Sequence, residues 1–330
     1  MKLLSRFLRS DALGLVVFLL LLLVLFGSLS ERFFTLRTFT TVANQVPDLT
    51  VIAVGMTFVL VIGGIDLSVG SVLALASAVL GVALVGWELP LPAAALLAIG
   101  IGLLCGVVNG FVSVRWALPS FIVTLGMLEV ARGGAYLVTG SRTAYIGTSI
   151  DFVGAPLPGL RLSPAFLAAV LFVIAGQIVL SRTVFGRYAV AIGTNEEAVT
   201  LSGVNPRPTR IAVFALAGAL SGLGGVFHAS RLGAADPNAA VGLELSAIAA
   251  VVLGGTSLMG GRGSVLRSFF GVLVIAVLQS GLAQIGASEP TKRVVTGAVI
   301  VFAVVADAYR HRVSARRKLL GAILGPEGNR

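Results

Sequence analysis

The chain has 330 residues, of which 57% are hydrophobic and 12% charged, and its mean hydropathy is +1.01. So much apolar surface exceeds what one water-soluble core can bury, which excludes an ordinary soluble domain and points to lipid as the solvent. The net charge of +10 does not indicate a nucleic-acid binder, because the basic residues are scattered between apolar runs with no basic patch interleaved with aromatics.

Lys2, Arg6 and Arg9 precede the apolar run from Ala12 to Gly27. Gly27-Ser28-Leu29-Ser30 offers no convincing small-x-small cleavage site, so the run reads as a retained first helix and not a signal peptide. Cutting the rest at charge and turn clusters gives ten spans in all: 11–29, 40–62, 69–87, 92–114, 118–139, 163–181, 210–232, 243–259, 265–285 and 288–307. Most are near the roughly 20 residues a bilayer requires. The expected fold is an all-α integral membrane protein, a single domain over residues 1–330 built as a bundle of about ten transmembrane helices.

Pro47 predicts a kink in the second span. The eighth runs into Gly260-Gly261-Arg262-Gly263, so its inner end reads as broken or re-entrant. The 41 glycines fit helices that approach closely in lipid. With the N-terminus inside, 16 of the 24 Lys and Arg fall in inner segments, seven in outer ones, and Arg132 within the fifth span. That bias follows the positive-inside rule and puts both termini in the cytoplasm. Two connections are too long for simple turns, 140–162 outside and 182–209 inside, and such loops are where function tends to sit.

Within the inner loop, Thr194 and Glu197 form a capping-box pattern, Gly203 is a natural helix stop and Pro206 forbids continuation. The expectation is a short amphipathic cytoplasmic helix exposing Ala198, Leu201 and Val199, either a docking knob for another protein or an idle surface helix. Asp66 and Ser68 follow Gly63-Gly64 at the inner end of the second span, where they either cap the third helix or take part in a cytoplasmic gate. The pattern GGxxLxxG occurs at 63–70 and again at 254–261; both copies follow an outside-to-inside helix, which gives no support to an inverted repeat.

Glu129 and Arg132 are three apart in the fifth span, a spacing at which each neutralises the other. His228 and Arg231 share that spacing in the seventh. Glu244 opens the eighth span, where a carboxylate complements the helix dipole or stands in a solute entry path. Cys105 is the one cysteine, which excludes an internal disulfide and a cysteine metal site, and two histidines are too few to argue for a histidine metal site. The three lysines follow Met, Thr and Arg, so the chain has no P-loop, and no hydrolytic or metal motif stands out. No cofactor, catalytic or metal-binding residues are expected.

The run Gly55-Met56-Thr57-Phe58-Val59-Leu60-Val61-Ile62-Gly63-Gly64-Ile65-Asp66-Leu67-Ser68-Val69-Gly70-Ser71 resembles the ribose-type permeases of bacterial ABC importers. The resemblance continues at Gly186-Arg187-Tyr188, through Ala191 to Glu196, from Leu201 to Asn205, and from Ala247 to Leu258. It implies a sugar permease of the cytoplasmic (inner) membrane that works as a homodimer with a shared central pathway. It also implies cytoplasmic ATPase subunits and an extracytoplasmic (periplasmic) solute-binding protein as partners. On that basis Asn195, Glu196, Glu197, Ala198, Leu201, Ser202 and Gly203 form the helix that couples to the ATPase, within the 182–209 loop. Thr200 and Ser246 depart from the family, which often has an arginine at the first position and an acidic residue at the second. The alternatives are an ion-coupled secondary transporter, which needs a mid-membrane carboxylate, and a passive channel, for which no filter motif exists.

Overall fold

A computed structural model describes residues 12–299 together with 301, 302 and 305. The basic N-terminal residues, the end of the tenth span, His311 and the expected cytoplasmic placement of both termini lie outside those residues. The helices in chain order are α1 (Ala12–Leu29), α2 (Leu36–Gln45), α3 (Pro47–Val61), α4 (Val69–Val85), α5 (Leu91–Arg115) and α6 (Ser120–Thr139). They continue as α7 (Asp151–Gly154), α8 (Pro164–Arg182), α9 (Val184–Thr194), α10 (Glu196–Leu201), α11 (Arg207–Leu232), α12 (Leu243–Leu253) and α13 (Val265–Gln284). A further helical stretch covers 289–299. The short strands β1 (Ala144–Tyr145) and β2 (Ala234–Ala235) pair antiparallel.

Among the described residues five helices, α5, α6, α8, α11 and α13, are long and apolar enough to cross a membrane, or six if α2 and α3 count as one bent span. α1, α4 and α12 are apolar but shorter. Pro47 bends the second span as expected: it removes a backbone donor, and α2 and α3 meet at 50° across Val46. α12 likewise stops at Leu253, and 254–264 is turns and irregular backbone. The charged 182–209 loop contains more than the expected short helix, because Thr183 caps α9 by accepting from Gly186 N–H at 3.2 Å.

Every residue of α3 is buried, and that helix forms the axis of the bundle. Around it, apolar side chains of the peripheral helices point outward, such as Leu96, Val130 and Leu171, as lipid-facing positions do. The tightest pairing is α5 on α11. A Cβ placed at Gly218 would lie 2.8 Å from Gly106 Cα, and one at Gly222 would lie 2.7 Å from Ala98 O. Only glycine permits that approach, in which backbones touch and dispersion forces act without a hydrophobic drive. α1 closes over α13 through Phe26, which fills the space above Gly281.

Candidate functional site

Three glycine turns meet at the end of the bundle that carries α10. Gly63 (φ 74°), Gly260 (φ 85°) and Gly261 (φ 74°) adopt left-handed conformations that a side chain would strain. Gly261 N–H donates to Val61 O, the last residue of α3, at 2.9 Å, and a Cβ at Gly260 would lie 2.6 Å from Gly193 O in α9. The two GGxxLxxG segments, beginning at Gly63 and Gly254, therefore pack on one another and on the chain that enters α10.

α10 itself is capped differently from the expectation. The cap is Asn195, whose Oδ1 accepts from Ala198 N–H at 2.9 Å; Thr194 belongs to α9 and donates its hydroxyl to Val190 O at 2.8 Å. α9 runs on through Thr194, which removes it from the extended geometry a cap requires. Gly203 (φ 85°) ends the segment as expected, directly after Ser202. Ala198 is exposed and Leu201 is 82% exposed, whereas Val199, expected outside, is 8% exposed and packs into the main core. Glu196 pairs with Arg210 of α11, Glu197 is exposed, and Thr200 donates to Glu196 O at 3.0 Å. Between α10 and the α5–α6 turn lies a cavity of about 830 Å³ bordered by Pro119, Glu196, Thr200 and Arg210.

From the glycine turns the chain runs without helix through 64–68, and two of its backbone N–H groups are engaged from a neighbouring helix. Ile65 N–H donates to Ser120 Oγ at 2.9 Å and Leu67 N–H to Thr124 Oγ1 at 3.1 Å, so α6 supplies the acceptors that a helix would have supplied. Asp66 and Ser68 are each 1% exposed. Asp66 Oδ1 takes both the N–H (2.9 Å) and the hydroxyl (2.6 Å) of Ser68, and Asn109 Nδ2 of α5 donates to Ser68 Oγ at 3.0 Å. Ser68 stands at the N-cap of α4 without a side-chain cap bond, and Asp66 serves Ser68 itself instead of the first turn.

Glu244 lies against the first turn of α4: a Cβ at Gly70 would collide with its carboxylate and lie 2.8 Å from Ala240 O. The Glu129–Arg132 pair does not form. Glu129 is exposed, and Arg132 donates instead to the carbonyls of Pro237 (2.6 Å) and Ala239 (2.8 Å), which the chain brings over α6 from the segment before α12. His228 and Arg231 do converge, on Asp48 Oδ2 at 2.7 and 3.0 Å. Asp48 was the partner that local spacing could not supply, although a carboxylate inside an apolar stretch is itself a signal.

A family model described as branched-chain amino acid transport system / permease component matches residues 38–304. A ribose import permease of Escherichia coli K12 is 37% identical over 299 residues, covering 88% of this chain and 92% of that protein. A fructose import permease of Rhizobium meliloti is 33% identical, covering 94% and 89%, and an L-arabinose ABC transporter permease of Azospirillum brasilense is 35% identical, covering 90% and 88%. No solved structure matches. The chain belongs to this permease family and is a transport subunit.

Proposed function

We propose that this member of the permease family is the membrane-spanning subunit of an ATP-driven importer for a small sugar, and that it works as a homodimer with ATPase subunits and a solute-binding protein. The relatives named for ribose, fructose and arabinose support the solute class. The observation that carries the coupling role is Leu201, 82% exposed on a helix pinned at both ends by Asn195 and Gly203. An isolated apolar side chain on so short a helix contributes little to the fold and fits a groove on a partner protein. The α10 end is then cytoplasmic, in the bacterial inner membrane, in keeping with the positive-inside bias.

Motion at α10 has a rigid route inward. The glycine turns join α9 to the end of α3, and the 64–68 link joins α3 to α4, so a displacement of α10 moves the axis of the bundle. ATP closure of the ATPase pair would thereby swap outward for inward access by rigid-body rotation of the two halves. Gly63, Gly64, Asp66 and Ser68 would form the cytoplasmic gate in that scheme, with Glu244 on the solute path beyond it. The family weighs against the ion-coupled carrier, and Glu129, its carboxylate candidate, is exposed on α6.

Affinity-tagged chain purified with its candidate ATPase tests the reading. The expected result is a stable complex whose ATP hydrolysis rises on adding solute-loaded binding protein. A chain that retains no ATPase, or hydrolysis indifferent to the binding protein, would contradict it.

A further inference from the structure

The protein contains four glutamines, and three of them, Gln45, Gln279 and Gln284, border one groove of about 750 Å³ at the end of the bundle opposite α10. The fourth, Gln177, lies elsewhere and accepts from Ser264 Oγ and Leu266 N–H, while Gln284 of the groove donates to Thr38 Oγ1 at 3.0 Å. Ser246, Ser280 and Thr296 also line the groove. The volume is within the roughly 300–1,000 Å³ typical of small-molecule sites.

Two features make this wall more than incidental polarity. Gln45 and Gln279 are exposed on helices of an otherwise apolar bundle, where an amide facing hydrocarbon would lose its hydrogen bonds, so the groove demands a polar filling. Thr296 is 8% exposed and its buried hydroxyl has no hydrogen-bond partner among the described residues, which leaves a donor and acceptor available at the groove wall. Lys292 Nζ donates to Glu289 Oε1 at 2.7 Å, and Arg293 borders the groove as well, so its rim carries two cations beside one carboxylate. Amides and hydroxyls both donate and accept, as vicinal diols do.

We propose that this groove is the solute-receiving subsite of the permease and takes a polyhydroxylated solute of monosaccharide size. The inference rests on the importer reading. Its lining includes Ala240, whose carbonyl packs against Gly70 in the first turn of α4, directly after the 64–68 link.

The test uses the full importer in proteoliposomes, with radiolabelled D-ribose, D-fructose and L-arabinose as probes, comparing the unaltered chain with Gln45→Leu, Gln279→Leu and the double variant. The expected result is ATP-dependent uptake by the unaltered complex that falls at least tenfold in the double variant while ATP hydrolysis stays within twofold, with partial recovery in Gln279→Asn. Uptake within twofold of the unaltered complex in the double variant would overturn the subsite and leave the importer reading standing. A double variant that loses uptake only because the permease no longer assembles as a homodimer, read by its size in detergent, would also overturn the subsite by making the groove a subunit interface. Absence of ATP-dependent uptake of all three probes by the unaltered complex would overturn the importer reading, and the inference with it.

Discussion

Asp48 Oδ2 lies 2.7 Å from His228 Nδ1, joining the bend between α2 and α3 to the far end of α11. The same oxygen accepts from Arg231 at 3.0 Å, while Oδ1 takes the N–H of Leu49 at 2.8 Å. The bend at Pro47 is therefore held in place by a buried carboxylate with each oxygen engaged.

Removing one partner of a buried ion pair costs roughly 3–5 kcal/mol, because the remaining charge loses its compensation. Asp48→Ala is expected to lower the melting temperature of the purified chain by roughly 4–7 °C. Asp48→Asn, which keeps one acceptor, is expected to lower it by less. Thermal unfolding in detergent checks both, and an unchanged melting temperature for Asp48→Ala would remove the bond from the account.

The α5–α11 contact makes a sharper contrast. A side chain at Gly218 meets the backbone of α5, whereas one at Gly100 meets nothing within 4 Å. Gly218→Leu is expected to abolish the monodisperse peak in size-exclusion chromatography, since overpacking alone costs about 1–3 kcal/mol where neighbours can move and backbone cannot. Gly100→Leu should behave like the unaltered chain.

Leu201→Asp is expected to leave insertion and stability within about 0.5 kcal/mol of the unaltered chain, as for most surface substitutions. ATP-driven uptake should nevertheless fall at least tenfold. Val199→Asp, two residues earlier and packed in the core, should instead destabilise the chain itself. Comparing uptake with melting temperature separates the two.

Thr124→Val keeps the volume of the side chain and removes the acceptor for Leu67 N–H. An unsatisfied buried donor costs about 1–3 kcal/mol, so the Leu67 amide is expected to exchange its hydrogen on the order of tenfold faster or more. Hydrogen exchange read by mass spectrometry over 64–68 checks this, with the amides of α3 as the internal reference.

What the sequence made legible follows from local rules. Apolar runs located the long helices, Pro47 located the bend, and Gly203 located the end of α10, because each acts through its own backbone or its immediate neighbours. The errors came where two local rules compete or where a distant partner decides. Thr194 and Asn195 both cap well, and the continuation of α9 settled the matter for Asn195. Arg132 had Glu129 at good spacing, yet carbonyls more than a hundred residues later took its guanidinium. Asp48 meets His228 across 180 residues, and Ser120 and Thr124 serve a non-helical link some 55 residues before them, relationships that no window of sequence contains. The glycine turns occupy a middle position: their repeated pattern was visible, and their packing against one another was not.

The most direct measurement is uptake of radiolabelled sugar into proteoliposomes holding this chain with its candidate ATPase and binding protein, with and without ATP on the side the ATPase faces. The account predicts uptake that requires ATP and both partners together. Uptake by the chain alone, driven by an ion gradient and indifferent to ATP, would contradict it.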